Sequence, residues 1–462
     1  MSIWLPVPKA GSGPLYVGIA DEIGRAIARG ELRPGARLPT HRDLAGRMGI
    51  SIHTVSQAYA EAERRGFVIG EIGRGTFVRA GHAEREARFI MDRRAADLVD
   101  LSINRPVYDH IQTERLRTTL TAMAAEDDLS SMLVCRPIAG LDAHRAAGAA
   151  WIRARGIDVD PERLVVCNGA AHGLMVALAS LTRPGDIVLT EALTDHGTIG
   201  LASTLHYRLR GVPLDEEGLV PEALEALCAE ADVKVLCVTP CLSNPTTALM
   251  SAGRRERIAE IVRRYGISVV ENDVYGHLPA SAPKPLWHWV PEQTWYVTSL
   301  TKTVVSGLRT GYLVCPAGAV ARAVRRIRVT SWMATPFIAE LASKWIRDGT
   351  AVELLEWQRK RLAERHAVLS DVLDGSDLQT HPHALHAWLE LPEPWRSDAL
   401  VAEARVRGVA LTPAEPFAVG REAAPHAIRI SLGAARTLDE LRHGLGVLAE
   451  LLRRQPEPLD LV

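Results

Sequence analysis

The sequence lacks any apolar run approaching the roughly 18 residues that a membrane span requires, so no membrane partner is expected. Its start, Met1-Ser2-Ile3-Trp4-Leu5-Pro6, has neither a charged n-region nor an apolar h-region, which argues against a secretory leader. Cysteine is sparse. The six residues are Cys135, Cys167, Cys228, Cys237, Cys241 and Cys315, and none forms a Cys-x-x-Cys pair. A disulfide framework and a structural zinc site are therefore not expected, and no metal set is read. The cysteines look like small buried hydrophobes in a reducing compartment. A cytoplasmic protein is the expectation. Repeats and low-complexity segments are also missing. What remains is an ordinary globular balance, 47% hydrophobic and 24% charged. With 462 residues the chain is too long for one core, and two or three domains are expected.

A net charge of −1 hides an asymmetry. Residues 1–80 hold 11 Lys+Arg against 7 Asp+Glu, and the remainder holds 43 against 48. A basic end on a mildly acidic body points to a polyanionic partner at that end. There, Ile19, Ile23 and Ile27 recur at steps of four, an amphipathic helix closed by Gly30 and Pro34-Gly35. Thr40 caps a second short helix with Leu44, Ala45 and Met48 inward, and Gly49 breaks it. Ser51 caps a third, with Val55, Ala58, Tyr59 and Ala62 as its buried stripe. Phe67-Val68-Ile69 and Thr76-Phe77-Val78 then read as a hairpin. The domain is placed at 1–80. Residues 81–97 are charged and Ala-rich, a linker or a short solvated helix.

From residue 98 to 462, apolar runs alternate with amphipathic stretches. The runs are Leu164–Cys167, Ile187–Leu189, Val233–Val238, Ile267–Val270 and Trp295–Val297. Between them lie helical stretches such as Gly173–Leu181, Glu222–Ala229 and Arg255–Tyr265. That spacing predicts an α/β fold with a largely parallel sheet covered by helices. Residues 320–462 are expected to form a smaller α/β subdomain, with a long helix at 350–373 and a strand at Ala427–Ser431.

Two constellations carry chemistry. In the first, Ser51, His53, Thr54 and Gln57 put short polar groups on the opening turns of the third helix, as a major-groove reader needs. Arg42 suits a phosphate. Arg74, between Gly73 and Gly75, suits a minor groove that the backbone must approach closely. Residues 14–79 resemble the winged helix of the GntR family, including the wing Gly73-Arg74-Gly75-Thr76-Phe77-Val78. A small protein-interaction domain is the alternative.

In the second, Thr298-Ser299-Leu300-Thr301-Lys302-Thr303 and Gly307-Leu308-Arg309-Thr310-Gly311-Tyr312 resemble the lysine motif of fold-type I pyridoxal-phosphate enzymes. The resemblance implies that Lys302 forms a Schiff base with pyridoxal 5'-phosphate. Ser299, Thr301 and Arg309 would hold its phosphate, with backbone N–H groups at Ala170 and Ala171 where a helix opens. Ser243-Asn244-Pro245-Thr246 resembles the turn whose Asn bonds the ring hydroxyl. Glu271-Asn272-Asp273-Val274-Tyr275 resembles the segment giving an acid to the ring nitrogen and a tyrosine to the ring oxygen. Here the sequence departs from the pattern. Counting back from Tyr275, the acid position holds Asn272, and Asp273 is one further on. The favoured partner is Asp273, and Asn272 with a weakened electron sink is the alternative. His196, in Leu193-Thr194-Asp195-His196-Gly197, is either the ring-stacking group or an ordinary loop histidine. Arg429, in Ala427-Ile428-Arg429-Ile430-Ser431, resembles the arginine that grips a substrate carboxylate.

The two halves together resemble the MocR subfamily of GntR regulators, over roughly residues 14–440. That implies an aminotransferase-like fold joined to a winged helix-turn-helix, a homodimer on double-stranded operator DNA, and the cofactor used as a sensor. A small amino acid-like effector would displace Lys302, form an external aldimine and shift a two-state dimer. In overall sequence the chain is similar to the ectoine-utilisation regulators of that subfamily, which implies an amino compound from ectoine breakdown. Two other readings stand: an active aminotransferase carrying a DNA-binding domain, and a cofactor-free dimerisation body.

Overall fold

The computed structural model describes residues 4–6, 14–29, 31–32, 36–65, 67–71, 75–78, 98–127, 129–420 and 424–454. They fall into two compact units, one built on the N-terminal residues through Ala95, the other on Ala96–Gly420 and His426–Arg454. Arg74 and the segment 81–97 lie outside the described residues.

The first unit runs α1 (Leu15–Ala28), α2 (His41–Met48), α3 (Ile52–Arg64) and an antiparallel hairpin of β1 (Val68–Glu71) and β2 (Gly75–Val78). Local chemistry sets the boundaries. The Thr40 hydroxyl accepts from the Asp43 N–H at 3.2 Å and starts α2. Gly49 ends it at φ 66°, a left-handed turn that glycine takes without strain. The Ser51 hydroxyl accepts from the Thr54 N–H at 3.0 Å and starts α3. Ile19, Ile23, Leu44, Val55, Ala58, Ala62 and Val68 are completely buried together. The Tyr59 hydroxyl donates to the Pro39 carbonyl at 2.8 Å, pinning the chain ahead of α2 onto α3.

The second unit is built on a seven-stranded sheet. Its strands are β3 (Leu164–Cys167), β4 (Ile187–Glu191), β5 (Arg208–Val212), β6 (Val233–Val238), β7 (Ser268–Asn272), β8 (Thr294–Ser299) and β9 (Gly311–Val314). In space they follow the order β3-β9-β8-β7-β6-β4-β5. Six run one way, and β9 alone is antiparallel to its neighbours β8 and β3. Strands β3, β6 and β8 are buried almost throughout, which is why they read as continuous apolar runs. A four-stranded antiparallel sheet joins β10 (Leu378–Gln379), β11 (His386–Glu390), β13 (Ala427–Ser431) and β12 (Thr412–Pro413), in that order.

The division expected at residue 320 is corrected. Ile327, Ala339, Leu341 and Trp345 pack into the core of the large sheet. Val99 and Leu101, some 220 residues earlier in sequence than 320, join Val368, Leu369, Ile428, Ile430 and Leu445 in the core of the small one. Packing of apolar faces, not sequence order, draws the line. One cysteine expectation is also corrected: Cys135 is exposed, while the other five are buried and free. Among the described residues no helix is long and apolar enough to cross a membrane, and no His/Cys/Asp/Glu group of metal-binding size occurs.

Candidate functional site

The second unit's site begins where β3 ends. Gly169, at φ 79°, turns the chain into helix α4 (Ala170–Leu181), whose first N–H groups have no carbonyl partner within the helix. β9 crosses beside this turn, with Gly311 in register with both Cys167 and Ser299. A Cβ on Gly311 would stand 2.6 Å from the Gly169 carbonyl carbon and 2.9 Å from the Ala170 nitrogen. A Cβ on Gly169 would stand 2.9 Å from an Arg309 guanidinium nitrogen. The two glycines thus let a strand, a helix N-terminus and a guanidinium meet, an arrangement shaped for a phosphate. Gly311→Ala is expected to push the helix start away and release bound cofactor, read as lost absorbance after gel filtration with the far-ultraviolet circular dichroism spectrum retained.

Ser299 closes β8, fully buried, and its hydroxyl accepts from the Thr301 N–H at 3.3 Å. The Thr301 hydroxyl is buried without a partner among the described residues. The Lys302 amine donates to the Asn104 carbonyl at 2.5 Å. Burial pushes its pKa down to about 8, against the pull of the Asp195 carboxylate, with Arg429 and Arg309 adding to the depression. A lysine with that pKa is part-deprotonated at neutral pH and ready to act as a nucleophile.

Around the amine the polar groups interlock. The Asn104 amide donates to the Tyr275 hydroxyl at 3.1 Å and sits 3.1 Å from His386 Nδ1. Burial holds His386 neutral, its pKa well below the usual value. The Asn244 amide donates to Asp195 at 2.6 Å, and its oxygen accepts from Arg429 at 2.9 Å. Arg429 is 2% exposed, also donates to the Ser102 carbonyl at 2.5 Å, and lies 4.8 Å over the Phe417 ring. Burial lowers its pKa to about 10, which leaves it charged at neutral pH. His196 opens a helix with its ring 6.4 Å from Phe417.

The preference for Asp273 over Asn272 is corrected. Gly173 of α4 packs against Val297, where a Cβ would lie 3.1 Å from Cγ1. Val297 is in register with Asn272, and Ser299 follows it by two residues. Strand side chains alternate, so Asn272, Val297 and Ser299 share the face that carries α4. Asp273 points the other way. Its carboxylate accepts from Arg155 Nε at 2.8 Å and from the Tyr296 hydroxyl at 2.7 Å, with Asp273 fully buried. Burial alone would push the Asp273 pKa up, and Arg155 holds it below the usual carboxylate value. Asn272 is 7% exposed, and its Oδ1 has no partner among the described residues.

The residues present fit pyridoxal phosphate. Lys302 offers a buried amine, Gly169 and Gly311 leave room beside a helix N-terminus and Arg309, and Thr301, Asn272, Asn104 and Arg429 each carry a buried polar atom with no partner among the described residues. Reading the sequence missed Asn104, His386 and Asp195 as members of this network. Asn104 lies 198 positions from Lys302, and no local pattern marks it. Asp195 was passed over for its neighbour His196.

In the first unit, Ser51, His53 and Gln57 are exposed at the start of α3, and Thr54 is half-buried beside them. Arg42 is exposed on α2. The Ser51 and Thr54 hydroxyls lie 2.8 Å apart, so both serve the cap as well as the surface.

Residues 96–448 match the aminotransferases of class I and II, and the chain belongs to that family, whose members depend on pyridoxal phosphate. Residues 15–78 match the bacterial regulatory proteins of the gntR family. The pair makes the chain a transcription regulator with a GntR helix-turn-helix and an aminotransferase-like domain, the plan of the MocR subfamily. It is 28% identical over 453 residues to the uncharacterized HTH-type transcriptional regulator YdeF of Bacillus subtilis, covering 97% of this chain and 96% of that one. It is 26% identical over 406 residues to the HTH-type pyridoxine biosynthesis transcriptional regulator PdxR of Corynebacterium glutamicum, covering 85% and 86%. Its fold is similar to the kynurenine aminotransferase of Pyrococcus horikoshii, with a TM-score of 0.73 at 22% identity over 81% of this chain and 95% of that one.

Proposed function

We propose that this regulator binds operator DNA as a homodimer in the cytoplasm, and senses an amino acid-like primary amine through pyridoxal phosphate held on Lys302. The observation that carries the reading is the buried Lys302 amine with its lowered pKa, in the same unit as the Gly169–Gly311 approach to Arg309 and the buried Arg429, in a chain that also bears a winged helix. When bound, pyridoxal phosphate would supply an aldehyde able to exchange amines reversibly, with Lys302 holding it and giving way to the amine of the effector. The chain does the rest. Gly169, Gly311, the α4 N-terminus, Ser299, Thr301 and Arg309 hold the phosphate. Asn244 and Tyr275 face the ring oxygen. Arg429 receives the effector carboxylate. Freeing the Lys302 amine would remove a tether on the 302 loop. The effector then shifts a two-state equilibrium by its differential affinity, typically about 1–3 kcal/mol. The effector class is a primary amine carrying a carboxylate, among which the amino compounds of ectoine breakdown are candidates.

The test is an absorbance titration of the purified chain with a panel of amino acids and diamino acids, repeated on Lys302→Ala. One compound is expected to move the cofactor band and to change operator affinity in the wild type. Lys302→Ala is expected to lose that effector response and keep operator binding. An intact effector response without the lysine would sink the reading in favour of a cofactor-free dimerisation body.

On the DNA side, Thr54→Ala and Arg74→Ala are each expected to weaken operator binding by roughly 1 kcal/mol, about fivefold, with cofactor absorbance unchanged. Affinity is expected to fall steeply with salt. Gel-shift affinity unmoved in both variants would reject this docking of the winged helix.

A further inference from the structure

Resting on that reading, we infer that Asn272 is what keeps the effector from being consumed: a neutral carboxamide, where a carboxylate would be needed, faces the ring nitrogen of the cofactor. The site then binds an amino acid and returns it unchanged.

The argument is one of register and charge. Asn272 shares the α4 face with Val297 and Ser299, the residue that ends at the phosphate cradle. It is buried, and its Oδ1 has no partner among the described residues; a flip of the amide puts the NH₂ donor in that place. Of the two carboxylates that flank it in sequence, Asp273 lies across the sheet, paired with Arg155 and bonded to Tyr296. Glu271 is on that same far side, where its carboxylate accepts the Leu286 and Trp287 N–H groups at 2.8 and 2.9 Å. Asp195 is engaged by Asn244 and by the Gly197 N–H. Asp195 is thus the carboxylate of the cofactor side, and it is held at Asn244, while Lys302, Arg309 and Arg429 are cations. A protonated ring nitrogen at Asn272 would meet an amide in place of a carboxylate, with Asp195 tied to Asn244, and a buried cation lacking its own counter-ion sheds its proton more readily. An amide N–H instead donates to the unprotonated nitrogen.

This matters for one step. Amine exchange at the aldehyde is reversible: the effector amine bonds, the Lys302 amine leaves, and nothing is oxidised or reduced. Transamination needs more. The Cα–H bond must break, its proton go to a base, and its electron pair spread into the ring. A protonated ring nitrogen stabilises that pair, and a neutral one does so far less. Asn272 withholds the stabilisation, so exchange proceeds and proton loss does not.

The experiment uses the full-length chain loaded with cofactor labelled with nitrogen-15 at the ring. In the wild type with a bound amino acid, the nitrogen resonance is expected in the unprotonated range at neutral pH. Asn272→Asp is expected to move it to the protonated range. The variant's absorbance band should then decay to the amine form of the cofactor as keto acid appears, while the wild-type band stays put. A protonated nitrogen in the wild type, or an Asn272→Asp variant that changes neither resonance nor band, overturns the inference. Should the variant fail to fold, the wild-type resonance alone decides. The outcomes separate cleanly from the sensor reading. A protonated wild-type nitrogen with the effector response lost in Lys302→Ala leaves the sensor standing and removes only the role of Asn272.

Discussion

Arg155→Ala is expected to destabilise the second unit by about 3–5 kcal/mol, because it strands a carboxylate in the protein interior. Asp273 is fully buried, and Arg155 Nε lies 2.8 Å from it with a side chain only 6% exposed. The Tyr296 hydroxyl would remain, but one neutral donor does not replace a cation. The measurement is urea unfolding of the loaded chain, followed by tryptophan fluorescence. The pH sign is fixed by the direction of the Asp273 shift. Its folded pKa is held below the unfolded value of about 3.9. The stability it contributes is therefore fully present above that value, and is lost as pH falls through the folded pKa. The double replacement Arg155→Met with Asp273→Asn is expected to recover most of the loss, since it removes both charges together. A single Arg155→Ala variant as stable as the wild type would show that the pair does not hold this strand end.

Arg429→Ala is expected to weaken effector binding by roughly 10- to 150-fold, the loss of a charge-assisted hydrogen bond worth about 1.5–3 kcal/mol. Arg429→Lys is expected to recover little, because an ammonium cannot offer the planar pair of donors. The guanidinium is held by Asn244, the Ser102 carbonyl and the face of Phe417, so its plane is set before the effector arrives. The titration of the cofactor band reads the affinity directly. The band itself is expected to persist without effector, because Arg429 is not among the phosphate or Schiff-base groups. Equal effector affinity in the alanine variant would move the carboxylate site elsewhere.

Much of the architecture was legible in the chain. The caps Thr40 and Ser51, the breaker Gly49 and the stripe Val55, Ala58, Tyr59, Ala62 mark the first unit by local rules alone. The strands at 164–167 and 233–238 announce themselves because burial on both faces demands apolar residues at every position. β9 was less visible: four residues, Gly311–Val314, inside a stretch that reads mainly as a motif. The subdomain boundary misled because Val99 and Leu101 return to the small core from the far end of the second unit. No window of sequence encodes that return.

The sequence by itself determined which residue types are available: a lysine after a strand, glycines at 169 and 311, an arginine on a C-terminal strand, and an asparagine or an aspartate near Tyr275. Only the tertiary structure decided between the last two. Adjacent strand residues face opposite sides of a sheet, so a shift of one position exchanges the cofactor face for the Arg155 face. Which face is which depends on where α4 packs, through Gly173 against Val297, a contact 124 residues apart in sequence. The same holds for Asn104 and Arg429. Their chemistry is written in the chain, and their meeting around Lys302 is set by long-range packing.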